Sequence, residues 1–352
     1  MMRWMLIAAL GFGSVCCTTL APGLGDLAVE PFGRMANGER VFVYTMHQGA
    51  ITARVTNFGA TLISVDVPDR EGGTRRVLDG FEGVLDYEQA TDTRPGGVVH
   101  FFDGDGHLGD PLDPPLGQRV WEVLDQGRAG DLAFLRLGLD YATQERGEPV
   151  DLRAEVTFTL DEAGELAIQY ENSTTGEVRP SMCHALVWNL AGWGAPGEDA
   201  HELRVHAERR FVAGGMNLKS DRWTPVAGSH FDFRSGRSLG SEGSEGLSAS
   251  SYEVTFALDP RMEGSGLSKL CHGARLACPS SGCALDLWTD QPHLTLLSEA
   301  QARPAAGSQF GVELRPQCID APLTPAQRKR LAGKVSTRRS AWRFFTLPSS
   351  DS

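Results

Sequence analysis

The 352-residue chain has no phosphate-cradling glycine loop with its lysine, no dinucleotide fingerprint, no His-Glu-x-x-His run and no nucleophile elbow. Those absences exclude the signatures of nucleotide-driven phosphoryl transfer, nicotinamide chemistry, zincin proteolysis and α/β-hydrolase chemistry. Positive charge is in short supply as well. A formal net charge of -12 argues against a nucleic-acid partner, whose phosphates call for clustered Lys and Arg. No apolar run reaches the ~20 residues that a membrane-crossing helix needs. Helical periodicity is scarce, and the best candidate is short: Thr324 as N-cap, Pro325 at the first helical position, then residues 326–332 before Gly333.

Cysteines are few and their spacing is uninformative. Beyond Cys16 and Cys17 there remain Cys183, Cys271, Cys278, Cys283 and Cys318, an odd set, so at least one stays unpaired if the others are bridged. Cys278 and Cys283 flank Pro279-Ser280-Ser281-Gly282, a turn-rich loop that a disulfide could close. With His272 these cysteines match no strong zinc spacing.

What the chain does have is alternation. An apolar run from Trp4 to about Val15 behind Arg3, then small and polar residues, reads as a signal peptide over residues 1–23. A lipoprotein-type anchor at Cys16 is the alternative, and either one implies export. Residues 24–352 show no break in composition and read as one domain. Strand-like runs flank Asn57-Phe58-Gly59, and residues 152–160 and 166–170 alternate on either side of Asp161-Glu162-Ala163-Gly164, a β-hairpin. Further strands are expected at 203–207, 252–258, 284–288, 294–297 and 342–346. Residues 87–118, rich in Gly, Pro and Asp and holding His100 and His107, read as loop; residues 235–251, rich in Gly and Ser, read as surface loop. Many short strands with one minor helix indicate an all-β fold, a large antiparallel β-sandwich.

Two stretches carry candidate chemistry. In residues 181–190, His184 shares a strand face with Met182, Leu186 and Trp188. It is either a satisfied core histidine or an imidazole tuned by its surroundings to pass a proton. In residues 310–316, Phe310, Val312 and Leu314 take one face and Gly311, Glu313 and Arg315 the other. Glu313 is either a solvated strand residue or, beside a glycine that admits a close ligand, a carboxylate bordering a site. Spacing alone does not bring the two stretches together.

Val55-Thr56-Asn57-Phe58-Gly59-Ala60-Thr61-Leu62, Val67-Pro68-Asp69-Arg70, Val77-Leu78-Asp79-Gly80-Phe81, residues 180–192, His201-Glu202-Leu203, residues 224–234, residues 285–292 and Gly311-Val312-Glu313 follow one another along the chain. In that order and spacing they resemble the aldose 1-epimerases, or galactose mutarotases, over roughly residues 28 to 346. The resemblance implies a large antiparallel sandwich with one open sugar cleft, a monosaccharide substrate, and no metal or nucleotide cofactor. It implies His184 as general acid and Glu313 as general base of ring opening and closure, with Glu253, His107 and Arg94 at sugar-binding positions. A non-catalytic carbohydrate-binding protein on the same scaffold is the alternative function.

The sequence also departs from the family pattern. Cys183 precedes His184 where the family has Asn, Glu253 replaces an Asp, and Leu314-Arg315 replace Thr-Gln after Glu313. The Gly-Arg-x-x-Asn-Arg run is missing, leaving Arg94 as a stand-in. The Leu-His-Gly-Gly motif survives only as His107-Leu108-Gly109.

Overall fold

The computed structural model describes residues 27–90, 96–103, 115–145, 148–175, 179–195, 201–212, 223–239, 252–258, 270–298, 311–317 and 334–348. The expected signal or anchor segment, the 324–333 helix, Arg94, His107, Cys318 and most of the 235–251 loop lie outside them.

The strands in chain order are β1 Ala28–Arg34, β2 Arg40–Gln48, β3 Ile51–Thr56, β4 Thr61–Pro68, β5 Thr74–Asp79, β6 Val98–Asp103, β7 Glu122–Ala129, β8 Leu132–Glu145, β9 Glu148–Asp161, β10 Glu165–Thr174 and β11 Arg179–His184. They continue as β12 Val187–Trp188, β13 Glu202–Val205, β14 Ala207–Val212, β15 Thr224–Pro225, β16 Arg237–Ser238, β17 Tyr252–Leu258, β18 Cys271–Cys278, β19 Cys283–Thr289, β20 His293–Ser298, β21 Val312–Gln317 and β22 Ser336–Thr346. One short helix, α1 Val84–Gln89, and a 3-10 turn, Leu116–Gln118, interrupt them.

The strands form a five-stranded sheet β1-β2-β3-β4-β5, a nine-stranded sheet β16-β13-β18-β19-β22-β10-β9-β8-β7, a two-stranded sheet β11-β6, and a six-stranded sheet β12-β21-β20-β17-β14-β15. Every pairing is antiparallel, as expected for an all-β sandwich.

The hairpin read from alternation is β9-β10, with Leu166 opposite Leu160. Its turn closes as expected, because the Asp161 carboxylate accepts from the Glu165 N–H at 2.9 Å and Gly164 takes a φ of 81° that side chains disfavour. Between the sheets, the apolar members of β17, β20 and β21 (Val254, Phe256, Leu294, Leu296, Val312, Leu314) join Leu285, Leu287, Trp342 and Phe344 of the nine-stranded sheet in one core. Trp188 packs there against Trp342 at 6.2 Å and Phe344 at 5.5 Å. Burying each such side chain contributes about 1.5–3 kcal/mol.

Two expectations need correction. Residues 87–118 are not all loop: Tyr87 lies in α1, and β6 pairs along its whole length with β11. Val98-Val99-His100-Phe101-Phe102 puts apolar residues on both faces around His100 and shows no period-two signal, so alternation could not reveal it. Nor are Cys278 and Cys283 bridged; both are free thiols across the β18-β19 hairpin, one near the Ser280 hydroxyl at 3.2 Å and the other facing the Pro68 carbonyl at 3.7 Å.

Candidate functional site

His184 lies on the core side of β11. It is 1% exposed, on the face of buried Met182. The Ala60 carbonyl can only accept, so Nε2 carries the proton and donates to it at 2.8 Å, leaving Nδ1 to accept from the Tyr170 hydroxyl at 2.9 Å. Phe158 meets the ring edge-on at 5.4 Å. The contact with Ala60 depends on the Asn57-Phe58-Gly59-Ala60 turn. Gly59 has a φ of 65° and a Cβ there would sit 2.4 Å from the Gly117 carbonyl, while Ala60 itself is held at a φ of 46°. Both ring nitrogens are therefore engaged by protein. Burial pushes the imidazole down to about 4, against the smaller opposing effect of the Ala60 carbonyl, so at neutral pH it has no extra proton to give.

Glu313 faces the other way. It stands opposite Val187 on β12 and Leu297 on β20, and Leu297 stands opposite Glu253 on β17. Directly paired residues share a face, so Glu313 and exposed Glu253 lie on the outward face of the six-stranded sheet, two strand spacings or about 10 Å apart at the backbone. The next row on this face is Arg315, Thr295 and Thr255, and beyond it come Gln317, His293 and Ala257. The Thr255 and Thr295 hydroxyls bond at 2.7 Å, and the Gln317 amide donates to Thr295. His293 stacks on Trp223 at 5.2 Å, with Phe211 at 5.8 Å on the same indole.

Arg315 forms a fork over one oxygen of Glu313. Its Nε donates to Oε1 at 2.6 Å and an Nη contacts the same atom. Among the described residues, Glu313 Oε2 accepts no hydrogen bond. Cys183, on the side of β11 away from His184, feels this pair. Burial pushes its thiol up to about 12, with Arg315 pulling it back and Glu313 adding to the rise. Burial is the largest influence on Arg315 and pulls it down, but Glu313 and Cys183 outweigh it and hold the guanidinium above its ordinary value.

The structure thus brings Glu313 and Glu253 onto one face and leaves His184 behind that face, with Cys183 toward it. Gly311 does not open the backbone to a ligand: a Cβ there would lie 2.3 Å from Val187 Cγ1, so the missing side chain accommodates Val187. Sequence reasoning passed over Arg315, Thr255, Thr295 and Trp223 as site residues, although alternation along 310–316 already put Arg315 on the face of Glu313. Among the described residues no group of His, Cys, Asp and Glu could hold a metal ion.

The family description "Aldose 1-epimerase" matches residues 109–330. The chain belongs to the aldose 1-epimerase family. Galactose mutarotase of Homo sapiens is 26% identical over 283 residues, 74% of this chain and 78% of that protein. Aldose 1-epimerase of Escherichia coli (strain K12) is 22% identical over 251 residues, 65% and 71% of the two chains. A crystal structure of galactose 1-epimerase from Lactobacillus acidophilus NCFM superposes with a TM-score of 0.68 at 18% identity, covering 92% of this chain and all of that one, which shows the shared fold.

Within this aldose 1-epimerase fold, the outward face of the six-stranded sheet combines a carboxylate whose Oε2 is unpaired among the described residues, a guanidinium and the Trp223–His293 stack. Such a surface suits a neutral polyhydroxy ligand, whose hydroxyls both donate and accept.

Proposed function

We propose that this family member interconverts the α and β anomers of a hexose such as galactose or glucose, with Glu313 taking the proton from the anomeric hydroxyl. One observation carries the reading: Glu313 stands on the outward face with Oε2 unpaired among the described residues, while Oε1 is held by Arg315. General base catalysis needs a positioned, ionised acceptor within hydrogen-bond reach of the proton it removes. Glu253, about two strands away, is proposed to hold sugar hydroxyls. The names of the relatives, galactose mutarotase and aldose 1-epimerase, support the reaction and the sugar class. His184 is assigned a structural role. No helix among the described residues is long and apolar enough to cross a membrane, and export by the N-terminal 23 residues is retained as part of the proposal.

The core position of His184 favours a second reading, a sugar-binding protein without catalysis. Polarimetry of freshly dissolved α-D-galactose and α-D-glucose separates the two. The first reading expects faster relaxation than in buffer, lost in Glu313→Gln. Saturable sugar binding with relaxation equal to buffer establishes the second and rejects the first.

A further inference from the structure

β13 of the nine-stranded sheet passes into β14 of the six-stranded sheet through a single residue, His206. Its backbone N–H donates to the Gly273 carbonyl at 3.0 Å, in the bulge that interrupts β18 between His272 and Ala274. Its ring lies 4.6 Å from that of His272. Among the described residues its Nε2 is buried and has no hydrogen-bond partner. His272 is already committed elsewhere. It stacks on Trp288 at 4.6 Å and its Nε2 donates to Asp286 Oδ1 at 2.9 Å, while Arg275 donates to both oxygens of the same carboxylate at 2.7 Å. A neutral His206 tolerates this packing with Nε2 as an idle acceptor. A protonated one does not, because Nε2–H becomes a buried donor with nothing to receive it.

We propose that His206 is an acid-sensitive latch on this crossover: when it takes up a proton, its ring leaves His272 and the His206–Gly273 bond opens, freeing β14 while the β9-β10 hairpin stays closed. The inference is independent of any sugar chemistry. The charges around the ring favour the same outcome. His272 and Arg275 on β18 and Arg204 on β13 oppose a positive charge there, and Asp286 on β19, which attracts one, is shared by His272 and Arg275. Glu208 on β14 is taken up by Arg234, which also pairs with Asp232. Leu258, closing β17 beside Gly273, adds no charge. Burial is the largest influence and, with these cations, pushes the imidazole down to about 4. An open ring titrates near the ordinary 6.5, so as the pH falls from 6.5 toward 4 the open form binds a proton that the closed one refuses. The latch is closed above that window and loosens within it.

The test is backbone amide hydrogen exchange of the full chain, expressed at each pH as protection relative to the unstructured rate. Between about pH 7.5 and 4.5, protection of the His206 amide and its neighbours on β14 should fall roughly tenfold, less than the whole shift allows because the ring is only partly buried. Protection in β9 and β10 should fall less. In His206→Gln, which has no titrating ring, the extra loss at the crossover should vanish. An equal loss at His206 and in β9-β10 means that opening is global and overturns the proposal, as does an undiminished loss in His206→Gln. Should that variant not fold, the wild-type ring decides. Its NMR resonances should still be those of a neutral imidazole at about pH 5.5, and a midpoint near 6.5 with the crossover amides protected throughout overturns the latch.

Discussion

His184 and Glu313 lie on strands packed side by side, yet their surroundings are opposite. The imidazole donates to the Ala60 carbonyl, accepts from the Tyr170 hydroxyl and meets the edge of Phe158, and is 1% exposed. The carboxylate has one oxygen pinned by Arg315 and the other without a partner among the described residues. A buried polar group that is fully satisfied contributes to holding the fold, because losing a partner leaves a costly orphan. A group fixed on one side and open on the other is positioned for a ligand. The resemblance pairs these two residues as acid and base; this difference is the reason the proposal gives them separate roles.

The largest effect that could break the contrast belongs to Glu313. Glu313→Gln should remove acceleration of mutarotation by about 10²- to 10⁴-fold while thermal melting stays near wild type. A loss of melting temperature with activity intact would put Glu313 among the structural residues.

His184→Ala should do the reverse. It orphans the Ala60 carbonyl and the Tyr170 hydroxyl and opens a cavity, at a cost of roughly 3 kcal/mol in urea unfolding, with anomer exchange retained wherever the protein is folded. A variant that unfolds normally but no longer accelerates the reaction would return His184 to the catalytic role.

The same imidazole predicts a pH dependence. Its value falls from an ordinary 6.5 to about 4 on burial, so between those limits the unfolded chain binds a proton that the folded one refuses. Stability from this group is therefore complete above about pH 6.5 and is lost as the pH drops toward 4, on the order of 3 kcal/mol in all. Urea midpoints across pH 4 to 7 should show that slope, and it should shrink in His184→Gln. An unchanged slope would mean that His184 titrates as an ordinary exposed histidine.

The smallest effect sharpens the other side of the comparison. Glu253 is exposed and shares the face of Glu313, so Glu253→Ala should leave stability within about 0.5 kcal/mol and raise KM a few-fold. An unchanged KM for both galactose and glucose would move the sugar away from β17.

Much of the fold was readable from period two alone. Alternation located β9, β10, β17, β20 and β21 and put Glu313 and Arg315 on one face, because a strand exposes every second residue to the same side whatever it pairs with. It missed β6, where apolar residues on both faces of the strand carry no alternation, and it extended β22 too little, since Ser336 to Ser340 are held by pairing with β10 rather than by pattern.

For the site, the sequence by itself put His184 on the apolar face of Met182 and Glu313 on the face opposite Val312 and Leu314, although the single strand read over 181–190 divides into β11, ending at His184, and β12 of another sheet. Only the tertiary structure decided what that apolar face means. The partners that saturate the imidazole come from Tyr170, 14 residues before it, and from Ala60, 124 residues away, where a glycine turn aims one carbonyl at the ring. Spacing along a chain cannot show whether a buried proton donor has found its acceptor, because that acceptor is a backbone oxygen, common to every residue and aimed only by the fold.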